Sequence, residues 1–180
     1  MLNVKYLYIS IIMSVALLAG SFFVWVEADV YKQEPKHEKT LASSIILENI
    51  EYEKVDRVKS LEKFFETYNS PLINHAGTFI EVADKYGFDY KLLPSIACLE
   101  STCARFLIPE TYNPFGWGAG KIYFKSYDEA IELVGKGLKD IYLSRGLDNA
   151  EKIAPVYNPP SPHTWTRGVN FFINKIEEVS

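Results

Sequence analysis

Apolar and uncharged residues run without interruption from Tyr6 to Val26, "YLYISIIMSVALLAGSFFVWV". A stretch of that length spans the hydrocarbon core of a bilayer as a single helix. Lys5 lies before it and Glu27 and Asp29 follow it; Lys5, the only basic residue there, weakly favours the N-terminus inside and the bulk of the chain outside. The "VEA" at 26–28 also fits a small-residue cleavage site, so residues 1–28 read as a transmembrane anchor or a removed signal, with a buried soluble helix as the third option. Residues 29–43 are polar, contain Pro35 and show no periodicity, which predicts a linker. Between 45 and 68 apolar positions return at Ile46, Ile50, Val55, Val58, Leu61, Phe65 and Tyr68, a narrow amphipathic stripe. Such a helix serves as a spacer, packs on a following domain, or self-associates with a second copy.

From 70 to 180 the pattern predicts one mainly α-helical domain. Phe79, Val82, Ala83 and Tyr86 share a helix face, and Gly87 stands where a left-handed stop belongs. Asp89 is placed to cap a second helix carrying Leu92, Leu93, Ile96, Ala97 and Leu99, with Pro94 expected to kink it or delay its start. Glycines, turn residues and aromatics at 106–124 predict a loop with a small β-hairpin. Ser126 and Glu129 form a capping box before a helix with Ala130, Ile131, Val134, Leu138 and Ile141, stopped by Gly146. A short turn at 148–154 and the proline-rich "PVYNPPSP" lead to a last helix through Val169, Phe172, Ile173 and Ile176.

Composition narrows the function classes. The chain has 180 residues and 48% hydrophobic content, enough for one core. A net charge of −4, with no arginine-rich run and no zinc-type cysteine spacing, gives no case for nucleic acid. Nothing in the sequence implies a metal or an organic cofactor.

The chemistry concentrates at "ACLESTCAR", residues 97–105, where Glu100 ends an apolar helix between the only two cysteines. Desolvation raises a carboxyl pKa, and a protonated carboxyl near neutrality is what a general acid needs. The plainer reading has Glu100 finishing the helix or pairing with Arg105, although a carboxylate at a helix C-terminus is opposed by the dipole.

Taken in order, "ADKYGFDYKLLPSIACLES", "YNPFGWG" and "PVYNPPSP" resemble the lysozyme-like superfamily, nearest to bacterial glucosaminidase and soluble lytic transglycosylase domains, over roughly residues 72–178. The resemblance implies that Glu100, in the helix-ending "ES" with Ser101, is the catalytic glutamate. It also implies that Asn113, Phe115 and Gly116 form a turn at the cleft, and that Tyr157 and Asn158 correspond to a "YN" whose tyrosine faces the acid. The implied substrate is the peptidoglycan glycan strand, cut at β-1,4 links between N-acetylated sugars. Two departures stand out: the transglycosylase "GLMQ" is absent, and no second carboxylate is fixed. Glu110 is the best-placed candidate, Asp128 and Glu129 reading instead as first-turn helix residues. A non-catalytic wall-binding or scaffold domain of the same fold is the alternative.

The aromatics near these motifs divide by surroundings. Phe115 and Tyr123 read as core, whereas Tyr112, Trp117 and Tyr157 sit among polar and turn residues and suit a saccharide groove; Trp165 belongs to the same cluster. Asn113 and Asn158 either touch sugar or hold their loops through backbone bonds. A Cys98–His163 thiol centre fits poorly, because Cys98 lies late in its helix, where the dipole does not favour a thiolate. For an exported chain a Cys98–Cys103 disulfide is expected, against two buried thiols, and it requires the helix to end near Ser101.

Overall fold

The computed structural model describes residues 36–180, with side chains from residue 43 onward. The span expected at 6–26 lies outside the described residues, and no described helix is long and apolar enough to cross a membrane. The chain divides into two units, Met1–Asn49 and Ile50–Ser180. In the first, the described part is helical and every side chain from 43 to 49 is exposed.

Among the described residues six α-helices and two 3₁₀ turns succeed one another: α1 (Lys36–Thr67), a 3₁₀ turn (Pro71–His75), α2 (Ala76–Tyr86), α3 (Leu92–Ser101), α4 (Tyr127–Ile141), a 3₁₀ turn (Leu143–Arg145), α5 (Ala150–Tyr157) and α6 (Pro162–Glu177). The fold is mainly helical, with no strand among the described residues. Helix α1 begins at Lys36, so residues 36–43 are helical where the polar composition predicts a linker. Its last turns belong to the second unit, which starts at Ile50 and not near Ser70. There Leu61, Phe64 and Phe65 are fully buried, and Phe65 packs on Phe79 of α2 with ring centroids 5.5 Å apart. Outside this seam, Arg57 makes a forked pair with Asp84 at 2.7 and 3.0 Å.

Helix α3 is the central element, buried along Leu92, Leu93, Ile96, Ala97 and Cys98. It packs on α6, which also carries α5, while α2 packs on α4. Pro94 sits in the first turn of α3, where its missing N–H lacks an intrahelical partner anyway. Asp89 does not cap α3; its carboxylate accepts the Lys91 N–H at 3.0 Å, just ahead of the helix. The other punctuation agrees with the pattern. Gly87 ends α2 at φ +72°, and the Ser126 hydroxyl accepts the Glu129 N–H at 3.1 Å. The reciprocal bond of the box falls on the Lys125 N–H instead of Ser126.

Two segments depart from expectation. In place of a turn and an irregular proline-rich run at 148–157, Asn149 caps a short helix, α5, which contains Pro155. The hairpin at 106–124 does not form. Glu110, Tyr112, Gly116, Gly118, Ala119 and Gly120 all take positive φ, which breaks extended pairing, and a bond from the Phe124 N–H to the Thr111 carbonyl (2.9 Å) closes the loop. Tyr123, expected in the core, is 67% exposed, and Phe124 is buried instead.

Candidate functional site

Glu100 stands on the last turn of α3, one residue before the helix ends at Ser101. Beyond that end, Thr102, Cys103 and Ala104 take φ of 53°, 55° and 64°, three successive non-glycine residues in the left-handed region. Each costs of order 1 kcal/mol, so the run persists only where its surroundings enforce it. A disulfide joins Cys98 to Cys103, as expected, and both cysteines are buried. The Ser101 hydroxyl lies 2.8 Å from the Ala97 and Pro114 carbonyls and accepts the Ala104 N–H at 2.9 Å. The Ser70 hydroxyl donates to the Cys103 carbonyl at 2.7 Å. One covalent bond and several buried hydrogen bonds therefore tie the helix end beneath Glu100.

The opposite wall is the loop 113–118, organised by Asn113. Its buried amide donates to the Trp117 carbonyl (2.8 Å) and the Ile122 carbonyl (3.1 Å), and its oxygen accepts the Trp117 N–H (3.1 Å). Trp117 then lies over Gly137 of α4 so closely that a Cβ there would come within 2.0 Å of the ring. Gly116, at φ +65°, brings bare backbone against Glu100, with Glu100 Oε2 3.4 Å from where a Cβ would stand.

Together these elements enclose a cleft of about 530 Å³ lined by Glu100, Phe115, Gly116, Trp117, Gly118, Ile141, Tyr142, Tyr157 and Asn158. Glu100 is the one carboxylate among these lining residues. Its side chain remains open to solvent, yet the protein around its carboxyl raises the pKa by desolvation. The Trp165 indole N–H donates to Glu100 Oε1 at 2.9 Å, favours the charged form and opposes part of that rise. Oε1 thus accepts from Trp165, while Oε2 is the oxygen beside Gly116. Tyr157 is half-buried between Tyr142 and Trp165, with centroids at 6.1 and 4.8 Å, and its hydroxyl donates to the Phe115 carbonyl at 3.0 Å. Burial first, and then the charge of Glu100, push its pKa upward, so it stays a neutral donor.

Of the residues singled out in the sequence, Glu100, Phe115, Gly116, Trp117, Tyr157 and Asn158 line the cleft. Ser101 and Asn113 are buried behind it and hold backbone. Tyr112 packs edge-on against Tyr127 at 5.2 Å, and Glu110 occupies an exposed turn; neither lines the cleft. Asp128 accepts from Thr78 at 2.6 Å and lies 2.7 Å from His75 Nδ1, a clip between α4 and the chain before it. Glu129 serves the cap of α4. No group of three or more metal-ligating side chains occurs among the described residues.

The sequence pattern does not reveal that Ile141, the last residue of α4, and Tyr142, its C-cap, line the cleft, nor that Trp165, grouped with the cleft aromatics, bonds Glu100 from α6. Trp165 extends the Val169, Phe172, Ile176 stripe by four residues, so its burial is legible, although its hydrogen bond is not. Compared with models of known protein families the chain matches none, and a comparison with curated proteins finds no match.

Proposed function

We propose that the chain carries a lysozyme-like domain that cleaves β-1,4 links between N-acetylated sugars of peptidoglycan, with Glu100 as general acid. The observation that carries this reading is Glu100 itself: a carboxyl of raised pKa, steadied on one oxygen by Trp165, and the one carboxylate lining an aromatic-walled cleft. Protonated Glu100 gives its proton to the glycosidic oxygen, the bond to the anomeric carbon breaks, and that carbon takes up positive charge. The carboxylate left behind then accepts the proton of the attacking hydroxyl. Hydrolases of the two-acid type place a second carboxylate within about 5–9.5 Å of the first. Among the described residues no second one lines the cleft, which favours attack by the substrate's own hydroxyl, or by its acetamido oxygen and then water. Trp117 and Tyr142 supply apolar walls for sugar faces, while Asn113 acts through the backbone it holds. The uncharged segment at 6–26 would hold the domain on the outer side of a membrane, or export it if cleaved.

Digestion of purified glycan strands by the full chain, read by mass, tests the proposal. Wild type is expected to release fragments and Glu100→Gln to lose at least about a hundredfold in rate. Anhydro ends would identify intramolecular attack, reducing ends hydrolysis. Binding by both proteins with cleavage by neither would overturn the catalytic reading and leave a wall-binding domain.

A further inference from the structure

The loop after the disulfide presents an apolar surface that the cleft chemistry does not use. Phe106 is 71% exposed and Tyr123 67%, with Ile108, Tyr112 and Ile122 each above 40%. All five lie on the one loop 106–123. Ile108 packs over Gly120 and Ile122 over Gly118, and the bond from the Phe124 N–H to the Thr111 carbonyl closes the loop that carries them. Because Gly118 also lines the cleft, the patch runs to the mouth of the site.

Within the loop itself basic residues outnumber acidic ones. Arg105, Lys121 and Lys125 are all exposed, and Glu110 is the single acid, so residues 105–125 carry +2 in a chain whose net charge is −4. The Arg105 guanidinium lies over the Phe106 ring, 5.8 Å from its centroid, and Lys125 is 92% exposed with Glu129 3.8 Å away. Exposed aromatic and aliphatic side chains interspersed with Arg105, Lys121 and Lys125 suit the boundary between lipid headgroups and acyl chains. A saccharide would need polar side chains aimed at its hydroxyls, and Phe106, Ile108 and Ile122 have none to offer.

We propose that loop 105–125 docks on an anionic lipid surface, seating Phe106, Ile108, Ile122 and Tyr123 at the interface and bringing the cleft mouth to the membrane. This goes beyond the reading of Glu100 and does not depend on it; Glu100→Gln is expected to dock like wild type.

The two native cysteines are joined, so Tyr123→Cys creates the single reactive thiol of the chain for an environment-sensitive fluorophore. The labelled full chain is placed in nanodiscs of phosphatidylcholine, with or without phosphatidylglycerol, so that any N-terminal tether is the same in both. A several-fold rise and blue shift of emission in the anionic discs is expected, reversed by Lys121→Glu/Lys125→Glu and, independently, by Phe106→Ser. Equal emission in both discs would overturn the proposal. So would a blue shift without lipid that grows with protein concentration, which assigns the patch to a second copy, or one produced by glycan strands in detergent, which assigns it to substrate.

Discussion

Desolvation sets the acidity of Glu100, and Trp165 is the side chain that tempers it. Partial desolvation by the surrounding protein raises the pKa of this solvent-open carboxyl, and the indole N–H lowers it by donating to the ionised form. The two influences oppose, so removing the donor leaves desolvation alone. In Trp165→Phe the Glu100 pKa is therefore expected to rise further; under the general-acid role proposed for Glu100, the alkaline limb of the pH–rate profile should move to higher pH, while kcat falls because the carboxyl loses its orientation. A purely packing role would lower stability without moving the limb. The lost bond itself costs about 1 kcal/mol. Carboxyl NMR of Glu100 through a pH titration reads the shift directly and needs no substrate. Much of this site is legible one residue at a time: an acid ending an apolar helix announces a desolvated carboxyl. The pairing of Glu100 with Trp165, 65 positions away, is not, because helical periodicity reports which face is buried and never what it meets.

At the scale of elements, α3 and the turn behind it form the platform for the acid. The spacing of Cys98 and Cys103 makes the bridge readable, since five residues reach across only if the helix stops between them, and it stops at Ser101. The left-handed run at 102–104 is not readable, because threonine, cysteine and alanine carry no preference for positive φ. The cross-link restrains a short loop, so chain entropy alone gives a stabilisation of about 2 kcal/mol. The strained run adds a local consequence. Without the bridge, residues 102–104 are expected to relax towards ordinary backbone and carry the end of α3 with them. Cys98→Ala/Cys103→Ala should therefore lower the urea midpoint and also reduce cleavage by more than the folded fraction predicts, with Glu100 displaced from Gly116. Reduction of the wild type by dithiothreitol, with the same two measurements, should reproduce both effects.

On the scale of the whole molecule, the question is where the folding unit begins. An amphipathic stripe over 45–68 is compatible with a spacer, a self-associating stem or a domain helix, and one narrow face does not choose among them. The core chooses: Leu61, Phe64 and Phe65 are wholly enclosed, Phe64 meets Phe172 of α6 at 6.4 Å, and Phe65 meets Phe79 of α2. The last turns of α1 thus bridge two helices that are far apart in sequence. Truncating one buried Leu or Phe to Ala costs roughly 2–5 kcal/mol, and three of them together reach the whole stability of a typical domain, about 5–15 kcal/mol. A chain beginning at Ser70 is accordingly expected to lose its cooperative thermal transition. A chain beginning at Ile50 keeps these side chains and the Arg57–Asp84 pair, and should melt as the parent does. Calorimetry of the two truncations decides the matter. A sharp transition in the 70–180 protein would return α1 to the role of a spacer, while its absence there and survival at 50–180 would make the final turns of α1 a structural wall of the domain that holds Glu100.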